Sequence, residues 1–168
     1  MIYLKRLYPD QPIVGVGIVI VTNQRIVLIK RGNEPARGKW TIPGGLVELG
    51  ESNEEAVIRE AKEETCLDVE NPLLVDVVSQ VDLDADNKIK YHYVIVDYLV
   101  QIRCGDIAAA SDAVELRWVP LDEVETYELT TSFRRFFEHN KEKLVNADSF
   151  VKSCSHDKCM KIKQASLT

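Results

Sequence analysis

Between Glu48 and Glu64 the chain places seven glutamates, Glu48, Glu51, Glu54, Glu55, Glu60, Glu63 and Glu64, against only Arg59 and Lys62. The net charge of the whole chain is −6, so this one segment carries most of it. Ser52, followed three residues later by Glu55, has the capping-box pattern and predicts a helix from about Asn53. At about 100° per residue, Glu60, Glu63 and Glu64 fall within an arc of roughly 100°, with Ala56 and Val57 one turn below. Glu55, Arg59 and Lys62 cluster on a different side. A glutamate cluster is ordinarily a solvated helix face, but these three share a partly apolar face that turns toward protein. Like charges at i, i+3 and i+4 repel, the more so where water is excluded. Something cationic therefore belongs among them.

Arg59 can pair with one carboxylate, but three converging carboxylates are what a hard divalent cation such as Mg²⁺ requires. Such an ion keeps positions open for water and for substrate phosphates. Just upstream, the Pro43, Gly44, Gly45 run lets backbone approach a ligand closely, and Glu51, where the helix begins, can reach the same ion. The chemistry this arrangement suits is attack of water on phosphorus, with a carboxylate as base and the ion absorbing charge on the leaving phosphate.

Around this segment the pattern is that of one α/β domain. Residues 13 to 21 and 26 to 31 are rich in Val and Ile and are separated by "TNQ", which predicts a hairpin. The "IPGG" cluster at 42 to 45 predicts irregular or tightly turned backbone. Strands follow at 73 to 81, 91 to 102 and 114 to 120, the first two joined by "DLDADNK". A second helix is predicted from about Thr131, with Phe133, Phe136, Phe137 and Leu144 on one side. Periodicity is lost at Asn146, so the expected organisation is a domain over 1–145 and a loosely ordered tail over 146–168. The alternation implies a mixed sheet with helices packed on it.

Composition and charge exclude several classes. The acidic balance argues against a nucleic-acid surface or an anionic membrane surface as partner. The apolar run at 13 to 21 contains two glycines, lacks a small-x-small cleavage site, and is too short to span a membrane. Four cysteines at uneven spacing, Cys66, Cys104, Cys154 and Cys159, do not form a secreted disulfide framework, which makes a reducing cytoplasm the expected location.

The segment "GLVELGESNEEAVIREAKEETCL" resembles the Nudix box, G-x5-E-x7-R-E-U-x-E-E-x-G-U with U aliphatic. Gly45, Glu51, Arg59, Glu60, Ala61, Glu63, Glu64 and Leu67 match, and Cys66 alone departs, standing where the box has glycine. The flanks "GKWTIPGGLVELGE" and "RWVPLDEV" also look like Nudix surroundings, so the resemblance covers roughly residues 13 to 145. It implies a Nudix-type α/β/α sandwich and Mg²⁺-dependent or Mn²⁺-dependent hydrolysis of a nucleoside diphosphate linked to a further moiety. By the same resemblance Glu60, Glu63 and Glu64 would hold metal, Arg59 would orient the carboxylates, and Glu51 would support the site or bind a further ion. Gly45 would add a backbone metal contact or simply room, with Gly44 beside it. The base would be Glu60, as in nucleoside triphosphate pyrophosphatases, or a distant loop carboxylate, for which Glu115 is the candidate. Many members are dimers, so a homodimer is among the expectations.

The substrate stays open between ADP-ribose or a related nucleotide derivative and ordinary or oxidised nucleoside triphosphates. The strand "YHYVIVDYLV" resembles that of ADP-ribose pyrophosphatases, but Asp82 stands where their proline is expected. A non-catalytic nucleotide-sensing module is the reading from another class, and it predicts a damaged carboxylate set. Arg31 and Lys39 are candidates to bind substrate phosphates, by position near a strand end and before Trp40. "DLDADNK" imitates a calcium loop but has Asn87 and Tyr93 where the motif needs Gly and Glu. "CSHDKC" at 154 to 159 lacks the spacing of a zinc finger and is read as tail.

Overall fold

The computed structural model describes residues 5–108 and 113–152; the Cys154 to Cys159 segment lies outside them. The described residues hold the seven expected elements in the expected order, with two short strands and a 3-10 turn besides, beginning with β1 (Ile13–Thr22), β2 (Arg25–Arg31), β3 (Trp40–Thr41), β4 (Gly44–Leu46) and α1 (Asn53–Thr65). After these come β5 (Asp68–Leu83), β6 (Ile89–Cys104), β7 (Ala113–Pro120), a short 3-10 turn at Val124–Thr126 and α2 (Thr131–Lys152). The sheet is mixed. β1 runs parallel to β6 and antiparallel to β2 and β4, and β5 closes the edge beyond β6.

The β1–β2 connection is tight because Asn23 and Gln24 both take positive φ, 49° and 58°, which matches the right-handed twist of a hairpin. β1 then alternates between two cores. Val19 and Val21 join Phe133, Phe136 and Phe137 of α2, whereas Val16, Ile18 and Ile20 pack against Ala56, Val57 and Ala61 of α1. The sheet is thus covered by one helix on each face, the sandwich that period-two and period-3.6 patterns imply when both faces are apolar.

Three expectations need correction. Ile42 and Pro43 are irregular as expected, but Gly44 and Gly45 open a strand, Gly44–Leu46, that pairs with Gly17, Val16 and Gly15 of β1, and the Gly17–Gly44 pair brings two strands together with no side chain of their own between them. The strands at 73–81 and 91–102 extend to 68–83 and 89–104, and register shifts near Glu70 and Leu74 absorb Pro72 on this edge strand. α2 does not stop where its apolar period gives out; it continues to Lys152, and Ala147 is still buried.

Helix α1 ends at Cys66 in the left-handed conformation, φ 62° and ψ 6°, with its N–H donating to the Lys62 carbonyl. A non-glycine residue there costs about 1 kcal/mol. Cys66→Gly is therefore expected to be neutral or to raise the melting temperature by about 2–4 °C without changing activity. A large loss of activity would show that the thiol itself takes part in the site.

Candidate active site

The rotation of α1 is set by its apolar side. Ala56, Val57 and Ala61 are fully buried against β1, and Ser52 caps the start with the predicted reciprocal box, its hydroxyl accepting from the Glu55 amide and the Glu55 carboxylate accepting from the Ser52 amide. Such a cap contributes about 1 kcal/mol. With this face fixed, Glu60 and Glu64 point inward at β4.

Each inward carboxylate meets a glycine. The Gly44 amide donates to Glu64 Oε2 at 2.8 Å, and Glu64 is only 8% exposed. The Glu60 carboxylate lies against Gly45, where a Cβ would collide with it. The glycines predicted to approach a ligand thus first approach the protein's own acids. Burial pushes the Glu60 carboxyl above the usual range, and the Arg59 guanidinium works against that shift.

Arg59 is the centre of the charge arrangement. Its Nε and Nη2 form a fork on Glu51, at 2.8 and 2.9 Å, while Nη1 donates to Glu60 at 2.7 Å and reaches Glu63 at 3.5 Å. Nη2 also donates to the Leu46 carbonyl at 3.0 Å, so this one side chain ties the loop before α1 to the helix. Hydrogen bonds from Arg59 and from the Glu48 amide pull the Glu51 carboxyl down to about 2. Sequence spacing puts Arg59 on a different side of the wheel from the three glutamates. Its long stem brings the guanidinium back to Glu60 and Glu63, where it supplies part of the positive charge that the clustering demands.

This changes the expected carboxylate geometry. Among the described residues, no three acidic, histidine or cysteine side chains converge closely enough to hold a metal ion. Glu51 and Glu60 are drawn to Arg59, Glu64 is held by Gly44, and Glu63 is half exposed. In kind the donor set still fits a hard divalent cation, since every member is a carboxylate oxygen.

The remaining candidates lie elsewhere. Glu115 bonds to Arg117, whose guanidinium sits 5.2 Å over the Trp40 ring. On β7, Leu116 and Trp118 pack toward the α1 core and Val119 toward the α2 core. Alternation therefore puts Glu115 on the sheet face opposite α1. Arg31 donates to the Pro35 carbonyl at 2.8 Å, and its charge acts on Tyr93. Lys39 is half-buried before Trp40. The residue that pattern reading missed as a site candidate is Asp97, which is 3% exposed; the sign available was an acid in mid-run of the apolar strand "YVIVDYLV".

The NUDIX domain profile matches residues 11–139. The chain belongs to the NUDIX family. An ADP-ribose pyrophosphatase of Methanocaldococcus jannaschii is 36% identical over 136 residues, which cover 81% of this chain and 73% of that protein. The crystal structure of a MutT NUDIX hydrolase from Burkholderia pseudomallei superposes with a TM-score of 0.69 at 36% identity, covering 77% of this chain and 98% of that one. The MutT protein of Methanosarcina mazei Go1 superposes with a TM-score of 0.63 at 27% identity, covering 80% and 96%. This Nudix protein is therefore a hydrolase of a family that generally uses divalent metals, and its mixed sheet with flanking helices is the fold of those structures. No helix among its described residues is long and apolar enough to cross a membrane.

Proposed function

We propose that this Nudix hydrolase cleaves the diphosphate bond of a nucleoside diphosphate linked to a further moiety, with ADP-ribose as the leading substrate, using Mg²⁺ or Mn²⁺. The observation that carries this reading is the inward pair, Glu60 on Gly45 and Glu64 on the Gly44 amide, backed by Arg59. Glu60, Glu63 and Glu64 would hold the ion. When bound, the ion neutralises the diphosphate and makes water a better nucleophile. Glu60 serves as the base: it is on the α1 face with the other carboxylates, and its burial favours the protonated form that a base must reach. Arg59 holds Glu60 and Glu51 in place and limits their mutual repulsion. ADP-ribose is preferred over triphosphates because the Methanocaldococcus relative of that name matches over most of both chains.

The test is a panel of ADP-ribose, dinucleotides, nucleotide sugars and ordinary and oxidised triphosphates with Mg²⁺, followed by phosphorus NMR. AMP and ribose 5-phosphate are the expected products from ADP-ribose. Turnover of triphosphates alone would favour the MutT-like reading, which the Burkholderia structure at 36% identity supports. Nucleotide binding with no turnover anywhere in the panel would leave a sensing module.

A further inference from the structure

Among the described residues, Asp97 is a buried acid with no hydrogen-bond donor to its carboxyl. It stands in β6 opposite Gly17 of β1 on one side and Asp76 of β5 on the other. Leu99, two residues on, packs with the α2 core, so Asp97 faces that side as well. Among the described residues no hydrogen bond is made to its carboxyl, although it is 3% exposed. Asp76 offers it nothing but repulsion: one Asp76 oxygen accepts from the Val77 amide at 2.8 Å and the other from Asn140 Nδ2 at 2.7 Å. Burial first, and then the Asp76 charge, push the Asp97 carboxyl up to about 7. β1 also gives way to it, because a Cβ on Gly17 would run into Asp97 Oδ1. Room is made for an acid that receives no hydrogen bond from the described residues, and an acid in that setting is destabilising.

A second acceptor on the same sheet face is also left over. Gln80 of β5 pairs across from Tyr93, and its Nε2 donates to the Asp82 carboxylate. A carboxylate only accepts, so the amide is fixed with Oε1 turned away, and that oxygen is buried without a partner among the described residues. Both leftover groups call for hydrogen-bond donors and repel phosphate.

Their place relative to the carboxylates is set by register. Asp97 is opposite Gly17, Gly17 is opposite Gly44, and the Gly44 amide holds Glu64. Two strand spacings, roughly 10 Å and the scale of a single nucleotide, separate the Asp97 backbone from that anchor; Asp97 stands on the α2 face and the carboxylates on the α1 face, so a nucleotide spans the two around the outer edge of β4. We propose that Asp97 recognises the non-phosphate half of the substrate, accepting hydrogen bonds from ribose hydroxyls or from a nucleobase amine. This rests on the reading of the protein as a nucleotide diphosphate hydrolase and assigns where its specificity is set.

The test titrates wild type, Asp97→Asn and Asp97→Ala with AMP, ribose 5-phosphate and pyrophosphate in Mg²⁺ by calorimetry. In Asp97→Ala, AMP affinity is expected to fall about tenfold to a hundredfold, with pyrophosphate affinity unchanged. A matching loss for ribose 5-phosphate assigns the contact to ribose, and a loss confined to AMP assigns it to the base. Asp97→Asn is expected to melt at the same temperature as wild type or higher, whereas an acid kept only for structure would melt lower on removal. Unchanged AMP affinity in both variants, an equal loss for pyrophosphate, or no binding of AMP and ribose 5-phosphate by wild type overturns the proposal. Binding that depends on Asp97 with no turnover of any nucleotide removes the hydrolytic reading and leaves the recognition site standing.

Discussion

Glu63→Gln is expected to lower kcat by two to three orders of magnitude while the folded protein melts within a few degrees of wild type. The two halves of that expectation come from different observations. Glu63 is half exposed, and its sole tie among the described contacts is a 3.5 Å approach to Arg59, so an exposed pair of this kind contributes little to stability. Its value is as an oxygen donor with full negative charge beside Glu60 and Glu64. Losing that charge removes stabilisation of the leaving phosphate worth about 3–4 kcal/mol of barrier. The measurement is steady-state hydrolysis with Mg²⁺ alongside thermal unfolding. Undiminished hydrolysis would remove Glu63 from the metal set, and a collapse in melting temperature would mean that it is structural.

How much of this was readable in advance depends on the kind of interaction. The start of α1 was legible because Ser52 and Glu55 act locally, within one turn. α2 was legible through Phe133, Phe136 and Phe137, whose spacing directly encodes the buried stripe. The family pattern identified the carboxylates, but helical spacing misplaced Arg59, since a wheel locates Cβ atoms and the guanidinium ends several bonds away, on Glu51 and Glu60. β4 was hidden because two of its own three residues and two of their three partners on β1, Gly15 and Gly17, are glycines, and glycine carries no alternation to read. Asp97 was hidden for a related reason. Its setting is made by Gly17 and Asp76, distant in sequence and joined to it only by strand register.

The coupling between the glycine strand and the helix can be tested at Gly45. A Cβ there would occupy the position of the Glu60 carboxylate, so Gly45→Ala forces the acid out of its place or the strand away from the helix. Overpacking of this sort costs about 1–3 kcal/mol, and a displaced base is expected to lower kcat by about a hundredfold. Both losses should appear together, in urea unfolding and in steady-state hydrolysis. Glu60→Ala removes the group that collides. If the contact is the cause, the stability cost of Gly45→Ala shrinks to within about 0.5 kcal/mol of zero in the Glu60→Ala background. An undiminished cost in the double variant would locate the strain in the β4 backbone and its pairing with Val16, and would detach the glycine strand from the positioning of Glu60.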